Sequence, residues 1–183
     1  MTTAREPREL RVQRCLMKDS ARRIEEGFRA LHDEPAEIQV RVENWLKPEA
    51  PAPRWDNYKH RAKWVDLVGI NEDSKLVLCE CKWGGGEGDD APQQLRDYYL
   101  MLKTDTRAKD ELKRLARERC GIENIDFERD VLLYIIVAGH VSQLLFERIQ
   151  LMGPEYSHLF RVFQALPIDD DPRSEEWACR RVP

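Results

Sequence analysis

Three residues carry the chemistry this sequence offers: Asp66, and the pair Glu80 and Lys82 on either side of Cys81. They fall within residues 64–83, WVDLVGINEDSKLVLCECKW, which alternate at period two, are rich in Val, Leu and Ile, and place turn residues at Asn71 to Ser74. The stretch predicts two strands joined by a short polar turn. In the second strand Leu76, Leu78, Glu80 and Lys82 share one face, and Val77, Cys79, Cys81 and Trp83 share the other. Apolar residues on both faces imply a buried central strand. A carboxylate and an amine at the end of such a strand are costly to bury unless they meet each other, a metal or a substrate, so they mark a candidate site.

Register decides whether Asp66 joins them. Facing positions in an antiparallel hairpin have a constant index sum. A two- or four-residue loop sets Asp66 opposite Cys79, whereas a three-residue loop, Glu72 to Ser74, sets it opposite Glu80. Two carboxylates facing each other repel and raise one another's pKa unless a divalent cation or the Lys82 ammonium lies between them. The three-residue loop, or an equivalent bulge, is therefore the expectation. Asp66 and Glu80 on opposite faces would remove the site.

The supporting elements read outward from this hairpin. Residues 1–18 are basic and poorly periodic, a loose lead-in with a short helix. Ile24, Phe28 and Leu31 recur at helical spacing and predict a helix from Asp19 or Ser20 to about Leu31. On that helix Glu25 lies about 60° from Phe28, at the border of the apolar face, while Glu26 points away. Glu25 is thus the acid placed to reach a core-side site. Residues 37–46, EIQVRVENWL, alternate as a strand with one wet face, and the prolines Pro48, Pro51 and Pro53 make the following segment a loop.

After the hairpin, Gly84, Gly85, Gly86 and Gly88 form a flexible crossing followed by acids, not by the Lys and Ser or Thr of a phosphate loop. Asp89 or Asp90 with Pro92 opens a helix that runs to Cys120 with a break near residues 104–106, and Gly121 stops it. Gln94 and Tyr98, four apart, project from one side of it. VLLYIIVAG from Val131 predicts a second buried strand, residues 140–152 a helix, and residues 159–166 a last strand. The acidic stretch 169–176 should be exposed, with Trp177 tucking back.

Composition limits the classes. The 183 residues, 42% hydrophobic and 35% charged, suit a single domain with a charge-rich surface. No apolar run approaches a membrane span, and the charged N-terminus lacks the apolar centre of a secretory signal, so a cytoplasmic, intracellular protein without membrane association is expected. Five cysteines with no CxxC pair read as reduced thiols, not as a zinc site. The net charge of −4 leaves nucleic-acid binding to a local patch: Lys59, His60, Arg61 and Lys63 are the favoured candidates, while Arg107, Lys109, Lys113, Arg114, Arg117 and Arg119, interspersed with Asp110, Glu111 and Glu118, read as a solvated helix face.

The order helix, three strands, helix, strand, with Asp66 opening the central hairpin and Glu80-Cys81-Lys82 closing it, resembles the PD-(D/E)XK nuclease superfamily. Gln94 and Tyr98 resemble the Gln-xxx-Tyr helix motif of its RecB-like branch, and Glu25 takes the place of the first-helix glutamate of Holliday-junction-resolvase-like members. Val65, not Pro, precedes Asp66. The resemblance implies an α/β restriction-endonuclease-like core, a mixed central sheet flanked by helices in the order αβββαβ over about residues 19–139, with a C-terminal helix-strand extension over 140–183. It implies a Mg²⁺- or Mn²⁺-dependent nuclease hydrolysing phosphodiester bonds of DNA. Asp66, Glu80, the Cys81 backbone carbonyl and Glu25 would serve the metal; Lys82 would assist the attacking water; Gln94 and Tyr98 would position Lys82 or a phosphate. A homodimer would suit cutting of both strands. The same fold without activity, as a DNA-binding or protein-interaction module, and an RNA-processing nuclease are the alternatives.

Overall fold

The hairpin forms where the alternation lies, but its first arm is two strands and not one. The computed structural model describes residues 8–35, 37–41, 62–84, 90–169 and 176–183. Helices α1 (Arg8–Lys18) and α2 (Ser20–Arg23) precede strands β1 (Arg29–Ala30), β2 (Ile38–Arg41), β3 (Ala62–Val65), β4 (Leu67–Ile70) and β5 (Leu76–Trp83). Helices α3 (Ala91–Thr104) and α4 (Thr106–Cys120) lead to β6 (Val131–Ala138). Then come α5 (Gln143–Leu151), α6 (Pro154–Ser157), β7 (Phe160–Pro167) and β8 (Trp177–Val182).

The architecture is mixed α/β. A six-stranded sheet runs in the order β1-β4-β5-β6-β7-β8, while β2 and β3 pair separately as an antiparallel ribbon. Within the large sheet β5, β6 and β7 are parallel, and β1, β4 and β8 join antiparallel. Parallel neighbours need long crossovers, which α3 and α4 supply between β5 and β6, and α5 and α6 between β6 and β7. Trp83 of β5 and Trp177 of β8 meet edge to face with centroids 5.7 Å apart, although β6 and β7 lie between their strands. The sheet therefore curls toward the face that carries both indoles.

Each face has its own core. On one, Leu76, Leu78, Leu133 and Ile135 pack with Leu95, Tyr98 and Leu102 of α3 and with residues of α4 and α5. On the other, Val77, Cys79, Cys81 and Tyr134 pack with Val12, Cys15 and Leu16 of α1 and with Phe28. Every residue of β6 is buried, as its unbroken apolar run requires. Gly69 of β4 lies directly under Phe28: a Cβ there would stand 2.2 Å from the ring, which is why a glycine interrupts the strand. No helix among the described residues is long and apolar enough to cross a membrane.

The N-terminal third departs from expectation. The short helix expected within the lead-in is the eleven-residue α1, and the helix expected over 19–31 is the four-residue α2 followed by turns. Gly27 at φ 76° cannot continue a right-handed helix, and the Ser20 hydroxyl ties the turn by donating to the Phe28 carbonyl and accepting from the Ala30 N–H. Ile24 and Phe28 enter one core and Leu31 the other, so their helical spacing is coincidental. The helix over 92–120 breaks at Asp105, whose side chain accepts from the Ala108 N–H to cap α4, and Gly121 at φ 71° closes it. The C-terminal strand β8 was not legible, although Trp177, which opens it, is buried as expected.

Candidate functional site

Strand pairing brings Asp66, Glu80 and Lys82 together. Leu67 pairs with Cys79, Val68 with Leu78, Gly69 with Val77 and Ile70 with Leu76, so the next step of the same register sets Asp66 opposite Glu80. The loop is the three-residue one. The Asn71 N–H donates to the Lys75 carbonyl (3.0 Å), the Asn71 side chain accepts the Lys75 N–H (2.9 Å), and Ser74 takes the left-handed conformation at φ 62°.

Asp66 is also where the first arm breaks. Here the chain leaves β3, paired with β2, and enters β4, paired with β5. Asp66 Oδ2 accepts the Cys81 N–H at 2.9 Å, the amide that a continued backbone ladder would have used. A strand residue directs its N–H and C=O to the same neighbour, so the Cys81 carbonyl also faces Asp66.

Glu80 is 3% exposed. Its Oε1 accepts from Lys82 Nζ at 2.7 Å, while Oε2 is buried with no hydrogen-bond partner among the described residues. Burial first, and the Asp66 charge second, push the Glu80 carboxyl up to about 7. Burial raises Asp66 as well, against the opposing pull of the Cys81 N–H and Lys82. For Lys82, burial alone would lower the pKa, but the adjacent Glu80 and then Asp66 outweigh it and raise it, so the amine stays an ammonium. Two poorly solvated carboxylates share one cation, and one carboxylate oxygen lacks any donor. Asp66, Glu80 and the Cys81 carbonyl are hard oxygen donors, which suits Mg²⁺ or Mn²⁺; among the described residues no group of three His, Cys, Asp or Glu side chains is set to hold a metal alone, and Mg²⁺ ordinarily completes its shell with water and substrate oxygens.

The other expected residues divide. Gln94 and Tyr98 lie on α3, which packs over the face bearing Glu80 and Lys82; Tyr98 is buried in that core and Gln94 Oε1 is buried without a partner. Glu25 is a correction. It is not on a helix, and its Oε2 accepts from the Tyr134 hydroxyl at 2.7 Å; Tyr134 pairs with Cys79 and so lies on the opposite face from Glu80. The cause is the turn at Gly27, which removes the helical geometry that was to aim Glu25. Lys59, His60 and Arg61 lie outside the described residues, as does the side chain of Lys63.

Sequence reasoning missed Glu9. It stands in the first turn of α1, and its charge adds to the upward push on both Glu80 and Lys82. Its signal was present: Glu9, Val12 and Leu16 follow a helical i, i+3, i+7 spacing, and Val12 and Leu16 are core. A cleft of about 780 Å³ between the β2–β3 ribbon and the start of α4, lined by Glu37, Gln39, Trp64 and Arg107 among others, includes none of the three site residues. Comparison of the chain with protein-family models, with curated proteins and with solved structures finds no match.

Proposed function

We propose that the chain is a metal-dependent nuclease of the restriction-endonuclease-like fold, hydrolysing phosphodiester bonds of DNA. One observation carries the reading: Asp66 lies one register step beyond the Leu67–Cys79 pair, beside Glu80 at a buried strand end with Lys82 bound to it, and among the described residues Glu80 Oε2 has no partner. A structural salt bridge explains one carboxylate and the lysine but not a second carboxylate raised beside them. The fold supports it through the antiparallel β4–β5 pair, the α3–α4 crossover and the parallel β6.

A divalent cation held by Asp66, Glu80 and the Cys81 carbonyl would neutralise a phosphoryl oxygen and acidify a water. The chain's own groups do the rest. The Cys81 N–H fixes the Asp66 carboxylate, Lys82 presents an ammonium to negative charge developing on the phosphoryl oxygens, and Gln94 offers a carbonyl acceptor on the same side.

The test is incubation of plasmid, linear duplex, single-stranded DNA and RNA with Mg²⁺ or Mn²⁺. Cleavage that disappears in Glu80→Ala and Lys82→Ala is expected. Cleavage of RNA alone would move the substrate to RNA, and no cleavage of any substrate would leave the direct 2.7 Å Lys82–Glu80 pair as the core of a non-catalytic binding module.

A further inference from the structure

The register of the sheet carries the site's polar character past Lys82. Lys82 pairs with Val137, Val137 with Gln164, and Gln164 with Arg180, so these four side chains form one row across β5, β6, β7 and β8. Residues in one row share a face. The assignment agrees with packing, since Val137 and Val182 belong to the α3-side core, whereas Cys179 and Trp177 belong to the other. The row lies at the C-terminal ends of the parallel strands, as Lys82 does.

Gln164 is fixed at both ends of its amide. Its Nε2 donates to the Gly139 carbonyl at 2.6 Å, and its Oε1 accepts from Arg180 Nη2 at 3.2 Å. Arg114, Arg119 and Arg148 are held by carboxylates that cancel their charge. Arg180 is held by an uncharged amide, is exposed, and forms no ion pair with the described residues. A guanidinium that is oriented but not neutralised fits a phosphate.

We infer that Arg180, oriented by Gln164, binds a backbone phosphate of the nucleic-acid strand that enters the site at Lys82. The inference rests on the nuclease reading and adds the path of the strand. Three inter-strand steps of ~4.8 Å separate Lys82 from Arg180, about 14 Å, a span of a few phosphates along one strand. Val137 itself is buried, so the strand would pass over the exposed Gly139 and His140 that follow β6. Arg180 is a binding residue and Gln164 a positioning residue; neither touches the scissile bond. The sequence's basic candidates, Lys59 to Lys63, are not needed for this contact.

The experiment is fluorescence anisotropy of the full chain with labelled single- and double-stranded oligonucleotides in Ca²⁺, across a salt series, beside the Mg²⁺ cleavage assay. Arg180→Glu should weaken binding at least about tenfold, and Arg180→Ala should reduce the salt slope by roughly 0.7–0.9, one phosphate contact. Arg180→Lys should keep the slope but lose affinity, and Gln164→Ala should lower affinity with little change in slope; thermal melting of each variant confirms folding. Cleavage and binding unchanged in Arg180→Glu overturns the track and leaves the nuclease reading standing. Arg180-dependent binding without any cleavage keeps the track and removes the nuclease. A wild-type chain that neither binds nor cleaves removes both.

Discussion

Asp66 stands one register step beyond the Leu67–Cys79 pair, beside Glu80, but among the described residues only Asp66 has a backbone partner: its Oδ2 holds the Cys81 N–H at 2.9 Å, while Glu80 Oε2 has no donor. The two acids are therefore unequal. Asp66 is a structural acid as well as a candidate ligand, whereas Glu80 owes its ionised state to Lys82 and to whatever cation arrives. This inequality orders the predictions.

Cation binding should titrate with Glu80. Its carboxyl is pushed up to about 7, first by burial and then by Asp66, so below neutrality a proton competes with the cation. Mn²⁺ affinity measured by titration calorimetry should rise about tenfold per pH unit from 5.5 toward 7 and level off above it. A profile flat across that range would remove Glu80 from the ligand set.

The same shift acts on stability with the opposite sense. Glu80's folded pKa is above its unfolded value of 4.5, so the contribution is full below 4.5 and is lost as pH rises through about 7. A shift of this size corresponds to about 3 kcal/mol at most. In EDTA, Glu80→Gln should therefore gain on wild type as pH rises from 5 to 8 in urea denaturation. Lys82, raised from an already high value, does not titrate in this window. A wild-type-minus-variant difference independent of pH would mean that Glu80 is ionised throughout.

How much of this was legible follows from the range of each interaction. The site hairpin was, because side-chain parity is strictly local and Asn71 to Ser74 admit few loops. The break at Asp66 was not, because it depends on an acceptor for the Cys81 N–H fifteen residues on and on β2 taking β3 as partner. A short helix was expected within residues 1–18, but the extent of α1 was hidden by Arg11, Arg14 and Lys18 around a narrow apolar stripe of Val12, Cys15 and Leu16. Glu25 was misplaced for the converse reason: Ile24, Phe28 and Leu31 have helical spacing but enter two different cores. Strand β8 carries Arg180 and Arg181 on a sheet edge, where apolar alternation is weakest.

His32 should make the site's supporting strand acid-sensitive. Its Nε2 accepts the Val68 N–H at 2.7 Å and its Nδ1 faces the Glu34 carbonyl at 2.6 Å, an arrangement that needs the neutral ring protonated on Nδ1. Burial lowers its pKa, although Glu34, Glu37 and Asp33 act to raise it and Arg119 to lower it. The contribution is present above about 6.5 and is lost as pH falls below that value. His32→Ala should cost about 1–3 kcal/mol at pH 8 by leaving the Val68 N–H unpaired, and the deficit should shrink toward pH 5. A deficit constant with pH would show that the ring acts by packing alone.

Asp66 allows fold and chemistry to be separated at one position. Asn can keep the acceptor for the Cys81 N–H through its amide oxygen, whereas Ala leaves that buried N–H without a partner. Asp66→Asn should stay within about 1 kcal/mol of wild type in EDTA, and Asp66→Ala should lose about 1–3 kcal/mol. Both should lose Mn²⁺ affinity, because neither offers an anionic oxygen opposite Glu80. Both should also let the Glu80 pKa fall, since the Asp66 charge is, after burial, the largest force that raises it. Carbon-detected NMR of the Glu80 carboxyl reads that shift directly. A Glu80 titration unmoved in Asp66→Asn, with Mn²⁺ affinity intact, would mean that the two acids do not act on each other and that the proposed site is not a single unit.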